Sequence, residues 1–369
     1  MKVALVSNLF NPVGPSAPGG LEVFNYYLMR ALIGKGIDAT LYAPGDSSSD
    51  IPLIPLVDKS LQYSESEDFL SVPWNYRVMT VKEFAAYTRM IDKDLSNISA
   101  DRIIHFSMVN FLPIYLAVKK NMPVLVTLHM AATNFHFKFL EEIFSEDEIK
   151  KIHFIGVSRN QAKMFPHTYK TIANGVDSEE LRFSKEFRDT FIWIGRLVKE
   201  KGALDALESC KTANVSLEIG GEAKSRDEVR FVETQLKPAL TENILEMGLI
   251  NREDKPNFYS AKATIFSSLL NEAAPLTIIE SMSCGTPVIA YETGSAAEVI
   301  KDGYNGFLIK QGDISGIVAA IKKIESLSPS AYLTMRENSR KTIEENYTLD
   351  KMTDKYLETY QEILVCNKQ

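Results

Sequence analysis

The stretch Asn271-Glu272-Ala273-Ala274-Pro275-Leu276-Thr277-Ile278-Ile279-Glu280-Ser281-Met282-Ser283-Cys284-Gly285-Thr286-Pro287-Val288-Ile289-Ala290 sets two carboxylates eight positions apart. It reads as a loop, a helix, a turn and a strand in succession. Helix formers run from Leu276 to Ser283, and Cys284-Gly285-Thr286-Pro287 ends the helix. Val288-Ile289-Ala290 is then a short buried strand. The start of that helix, at Pro275, Leu276 and Thr277, carries partial positive charge and unpaired backbone N–H groups that suit a phosphate, although Pro275 itself has no N–H to offer. Glu272 precedes the helix and Glu280 lies inside it, so a diphosphate at the helix tip meets a carboxylate on each side.

Outward from this stretch, short apolar strands alternate with helical segments. Val3–Ser7, Asp38–Ala43, Arg102–Phe106, Val124–Leu128 and His153–Val157 are expected strands in the first half. Helices are expected over Leu21–Gly34 and Leu112–Lys120, and from about Ser158. The second half repeats the rhythm with strands at Phe191–Ile194, Ser216–Ile219, Ile244–Met247, Ala263–Phe266 and Pro287–Tyr291. Such alternation predicts parallel sheets covered on both faces. The turn-rich run from Ala173-Asn174-Gly175-Val176-Asp177 to about Thr190 is the expected linker. The chain is 369 residues long, enough for two domains with separate cores. Residues 1–180 and 181–348 are assigned to them. Met352, Tyr356, Tyr360 and Leu364 give 349–369 a helical apolar face.

Composition narrows the function. The chain is 45% hydrophobic and 24% charged, with net charge −7, and so reads as an ordinary globular protein without the basic domain of a nucleic-acid binder. Through Lys170 there are 17 basic and 17 acidic residues, so the excess acid lies in the second half. A modest basic patch in the first half, facing an anionic acceptor or a membrane surface, stays open. Cys210, Cys284 and Cys366 are scattered, with no disulfide or metal spacing, which favours a reducing cytosol. No Asp-x-Asp or paired-histidine motif suggests a metal. Lys2–Val6 stops at Ser7-Asn8 without a cleavage site and reads as a strand, not a signal peptide. No apolar run approaches the roughly 18 residues that span a bilayer. The expected location is cytoplasmic, with peripheral contact at the inner face of the membrane left open.

The Glu272–Glu280 stretch resembles the Glu-x7-Glu signature of retaining glycosyltransferase family 4, the glycosyl transferases group 1. The resemblance implies the GT-B fold: two doubly wound Rossmann-like α/β domains facing across a cleft, acceptor-binding first and donor-binding second, with the last helix crossing back onto the first. It also implies that Glu272 contacts donor-sugar hydroxyls and that Glu280 holds the ribose. A carboxylate suits both tasks because it accepts two hydroxyl donors at once. Ala274 and Pro275 stand where many members have an aromatic residue and a glycine, which implies a roomier sugar pocket.

Other segments join the pattern. Gly195-Arg196 follows a strand and precedes Lys201-Gly202. This leaves a guanidinium and an ammonium at a strand's carboxyl end, where ligands of open sheets bind. Two solvated surface cations are the bland alternative. In the family, this pair steadies the leaving nucleoside diphosphate. Gly19-Gly20-Leu21-Glu22 resembles the family's Gly-Gly-x-Glu loop between donor phosphates and acceptor, and its spacing is not the dinucleotide fingerprint. His129, directly after a buried strand, corresponds to a histidine beside the donor sugar, and His105 is a weaker candidate. Gly220 and Gly221 are expected to admit the base and ribose, with Met247 near the nucleobase. Acceptor recognition is expected at Trp74-Asn75-Tyr76-Arg77 and Phe135-His136-Phe137-Lys138-Phe139, against a competing reading as packing.

The expected activity is metal-independent transfer of a hexosyl group, without a cofactor, from a nucleotide sugar. A UDP-sugar is the first choice, and the acceptor is a hydroxyl of a glycan, glycolipid or small molecule. The rivals are a non-catalytic sugar-nucleotide-binding protein, a sugar-nucleotide epimerase and a nicotinamide-dependent dehydrogenase. The missing glycine fingerprint argues against the last, and the single well-placed histidine against the epimerase.

Overall fold

The structure is a computed structural model describing residues 1–17, 19–61, 82–95, 101–129, 140–223 and 225–367. Both aromatic and basic clusters proposed for the acceptor lie outside these residues. The chain forms two compact units. One comprises Met1–Val157, Gln161–Ile172 and Met352–Gln369, and the other Ser158–Asn160 and Ala173–Lys351.

The first unit holds a seven-stranded parallel sheet, from β1 (Lys2–Val6), β2 (Asp38–Pro44), β3 (Leu53–Val57), β4 (Arg102–Phe106), β5 (Val124–Leu128), β6 (Ile152–Gly156) and β7 (Thr168–Thr171). Its order is β3-β2-β1-β4-β5-β6-β7, with every pair parallel. β5 is buried at all five positions, as a central strand covered on both faces must be. The helix Gly20–Gly34 buries Val23, Phe24, Leu28, Met29 and Leu32 along one stripe. It stops where Gly36 turns to φ +75 and Ile37 N–H bonds Leu32 O at 3.0 Å.

The second unit holds a six-stranded parallel sheet, from β8 (Arg188–Ile194), β9 (Leu217–Gly220), β10 (Ile244–Gly248), β11 (Ala261–Phe266), β12 (Val288–Tyr291) and β13 (Gly306–Ile309). Its order is β10-β9-β8-β11-β12-β13. The strand expected from Phe191 begins at Arg188, so the linker is shorter than its polar composition suggests. Two arginines of the helix Pro329–Asn346 fasten residues 178–184 to this unit. Arg336 Nη2 donates to Ser184 O at 2.6 Å, and Arg340 Nη1 to Leu181 O and Ser283 O, each at 2.9 Å. Arg336 is fully buried with no carboxylate paired to it among the described residues, and its guanidinium rests 4.7 Å from the centre of the Phe187 ring.

The helix Leu349–Cys366 buries Met352, Thr353, Tyr356, Thr359, Tyr360, Ile363 and Leu364. From Met352 onward it belongs to the first unit. Its contact there is polar at the centre. His105, wholly buried in β4, bonds Tyr360 OH through Nδ1 and Thr127 Oγ1 through Nε2, both at 2.7 Å. Tyr356 OH meets the same threonine at 3.0 Å and its ring stacks on His105. Both ring nitrogens are spent inside the core, so His105 serves packing, not ligand binding. Among the described residues, no helix is long and apolar enough to cross a membrane.

Replacing Tyr360 with Phe leaves a buried imidazole nitrogen without a partner. The expected loss is about 1–3 kcal/mol of unfolding free energy, read from urea denaturation. Burial, then the proximity of His129, holds His105 well below its ordinary 6.5. The folded chain therefore keeps this ring neutral while the unfolded chain protonates it. Stability should be full above pH 6.5 and fall as pH drops below it, a loss that denaturation midpoints across that range will show.

Candidate active site

In the second sheet the strand order reverses between β8 and β11, and loops leaving such a switch point open a crevice at the strands' carboxyl ends. The loop after β8 carries Gly195, Arg196, Lys201 and Gly202. The loop after β11 carries Ser267, Ser268 and Glu272. Backbone contacts interlock them. Leu269 N–H donates to Glu200 O at 2.8 Å, and Ser267 Oγ to Gly202 O at 2.6 Å. Gly202 sits at φ +77, and a Cβ there would lie 2.0 Å from Ser267 O. Only glycine meets both demands. This fixes Lys201 so that its ammonium pairs with Glu272 Oε1, which also accepts from Ser268 Oγ at 2.9 Å. Both charged side chains are about one-fifth exposed, at 22% and 18%.

A second loop braces Glu272 from behind. Ser295 N–H donates to Glu272 O at 3.1 Å, and Thr293 Oγ1 to Ser268 O at 3.1 Å. Gly294 lies at φ +55, and a Cβ there would lie 2.1 Å from Glu272 O. Sequence reading missed this turn. Its only signal was a glycine soon after the apolar strand β12.

The helix Leu276–Ser283 starts at Pro275, so the N–H groups of Leu276 and Thr277 have no carbonyl one turn back to bond. Glu280 is only 8% exposed. Lys255 Nζ donates to its Oε1 and Tyr259 OH to its Oε2, each at 2.7 Å. Burial, and then the Glu280 charge, push the Tyr259 hydroxyl well above its usual range, so it remains a donor. The Cys284 thiol is pushed up to about 12, chiefly by burial, and is inert at neutral pH.

Arg196 stands apart from the Lys201–Glu272 pair. Its side chain is 65% exposed, and Nη1 lies 3.8 Å from Glu228 Oε1. The glycines nearby serve the chain itself. A Cβ on Gly221 would lie 2.2 Å from Gly195 O, so these two strand ends pack backbone to backbone. Room expected at Gly220 for a nucleotide is taken by Ile250 and Phe258, 2.7 and 3.1 Å from where a Cβ would stand. Met247 is half exposed on the edge strand β10.

In the first unit, Gly19 and Gly20 open the helix that follows β1. The reason for Gly19 is local: a Cβ there would lie 2.1 Å from Glu22 Oε2. Glu22 is buried and accepts from Asn8 Nδ2 at 2.5 Å and Asn11 Nδ2 at 3.2 Å, which ties the loop after β1 to the helix. His129 follows β5, its ring edge-on to Phe24 at 4.3 Å. Burial pushes it down to about 3, so the ring is neutral, and its Nε2 is buried with no hydrogen-bond partner among the described residues.

The structure thus brings Lys201 and Glu272 into contact, stacks Gly195 on Gly221, and holds Glu280 by two residues that sequence reading did not single out. Gly19, Gly20 and His129 belong to the other unit. Together, an ammonium–carboxylate pair, a helix tip with free amides and an exposed guanidinium provide donors for an anion beside acceptors for hydroxyls.

Known proteins resemble this chain in sequence or in fold. O-antigen chain mannosyltransferase C of Escherichia coli is 22% identical over 380 residues, covering 97% of this chain and 98% of that protein. A glycosyltransferase from Rickettsia africae ESF-5 superposes with TM-score 0.72 at 21% identity, covering 98% of each chain. Anabaena HepE in complex with UDP-glucose gives TM-score 0.70 at 15% identity, covering 98% of this chain and 100% of that one. The fold is therefore GT-B. Residues 177–342 match the family described as Glycosyl transferases group 1. That segment holds the Lys201–Glu272 pair and the helix behind it, so the likeness to the glycosyl transferases group 1 falls on the candidate site itself.

Proposed function

We propose that this chain is a metal-independent, retaining glycosyltransferase of family 4 that moves a hexosyl group from a UDP-sugar to an acceptor hydroxyl. The Lys201–Glu272 pair beside the tip of the Leu276–Ser283 helix carries the reading. UDP is preferred because HepE, which shares the fold, was solved with UDP-glucose. The second unit takes the donor and the first the acceptor.

In this mechanism the donor diphosphate settles on the amides of Leu276 and Thr277 and draws Lys201 from Glu272. The released carboxylate then accepts sugar hydroxyls. Arg196, largely exposed, folds onto the diphosphate. As the bond between the anomeric carbon and the phosphate oxygen lengthens, negative charge grows on the leaving group, where Lys201, Arg196 and the helix tip stabilise it. The acceptor oxygen bonds the anomeric carbon on the same face, and its proton passes to the departing phosphate oxygen. His129, in the first unit, is neutral and carries no charge of its own. Gly195 and Met247 line the nucleotide's approach through their backbones.

The purified chain, with chelator present, should release the free nucleoside diphosphate from one member of a panel of UDP-, GDP- and ADP-sugars. Glu272→Ala should abolish that release while circular dichroism stays native. Arg196→Ala should lower kcat by about 10²–10³-fold with a smaller change in donor affinity. Wild-type rates in both variants would falsify the assignment. Saturable binding without turnover in the presence of acceptors points to the binding-protein rival.

A further inference from the structure

We propose that Lys255 and Tyr259 are positioning residues that hold the Glu280 carboxylate ready for the two hydroxyls of a ribose. They thereby make the site selective for ribonucleotides over deoxyribonucleotides. The inference rests on the reading that this unit binds a nucleoside diphosphate.

The helix Leu276–Ser283 is buried from Ile278 to Ser283, and Glu280 is its one carboxylate. An apolar residue of similar size would pack there at no desolvation cost. The charge is instead retained and held from two directions. Lys255 takes one oxygen and Tyr259 the other, each at 2.7 Å. Two anchors on different oxygens fix the plane of the carboxylate. Each oxygen has two lone-pair positions, so one on each is left to accept a further donor. Vicinal hydroxyls present two such donors at matching separation.

The anchors are themselves anchored. Both belong to the short helix Lys255–Tyr259 that leads into β11. Tyr259 is fully buried, and Thr286 Oγ1, in the turn that ends the Glu280 helix, bonds its carbonyl. The Lys255 side chain remains 24% exposed and the Glu280 side chain 10%, so the assembly is not sealed from solvent. Lys255 balances the carboxylate's charge, and Tyr259 supplies a neutral donor that stays protonated.

The test is calorimetric titration of the full chain with UDP, GDP and ADP, then with the 2′-deoxy counterpart of whichever binds. Wild type should bind the ribonucleotide at least roughly tenfold more tightly than the deoxy form, as a hydrogen bond to a charged group warrants. Lys255→Met and Tyr259→Phe should each weaken the ribonucleotide several-fold and leave the deoxy form nearly unchanged, so the preference collapses. Lys255→Arg should restore part of it. A merely structural role would weaken both nucleotides alike and keep the ratio, and that result overturns the proposal. Thermal unfolding of each variant, with the isosteric Tyr259→Phe as the gentler change, separates misfolding from lost positioning. Absence of binding by wild type to any of the three nucleotides overturns the donor-site reading itself.

Discussion

Two backbone carbonyls, those of Ser267 and Glu272, occupy the space where Gly202 and Gly294 would carry side chains. The arrangement of the second unit's site depends on that contact. It presses the loop after β8 against the loop after β11 at the point where the strand order reverses. The lysine that precedes Gly202 then has one carboxylate within reach. Neither charge is deeply buried, so the pair can exchange partners at modest cost, whereas a fully desolvated pair could not.

The central strands were legible because strands buried on both faces read as unbroken apolar runs, as in Val124–Leu128. The strands that escaped are β3, β7 and β13, all at sheet edges. β3 contains Pro55 and β7 reads Thr-Tyr-Lys-Thr, patterns that a half-solvated edge tolerates and a periodicity search discards. Glu272, Glu280 and Lys201 stood out because they fall in a dense run of family-like residues. Lys255 and Tyr259 did not, because their meaning is a contact with Glu280 and no spacing in the sequence announces it. The Thr293–Ser295 turn was hidden for the same reason.

The glycines show how one residue type answers different questions. Gly19, Gly220 and Gly221 looked like openings for a ligand. Each instead admits part of the chain: the Glu22 carboxylate, the side chains of Ile250 and Phe258, and the Gly195 carbonyl. Gly285, at φ +77, lets the Phe183 ring close against the end of the Glu280 helix, near the linker carbonyls that Arg336 and Arg340 hold. The linker's first residues are therefore part of the second unit's packing, which explains why a polar, turn-rich composition overstated its length.

The helix that carries Tyr356 and Tyr360 has a consequence for how the chain comes to be made. Tyr360 lies 255 residues beyond the histidine it bonds, and Tyr356 lies 229 beyond Thr127. All seven strands of the first sheet are synthesised before the hydroxyls that satisfy their buried polar centre. The second unit, nearly continuous from Ala173 to Lys351, has no such debt to later residues. It can close while the first sheet still waits for the hydroxyl that meets His105 Nδ1, a loop closure of high contact order and slow completion. The first unit, begun first, thus receives its last helix only after the whole second unit has been synthesised.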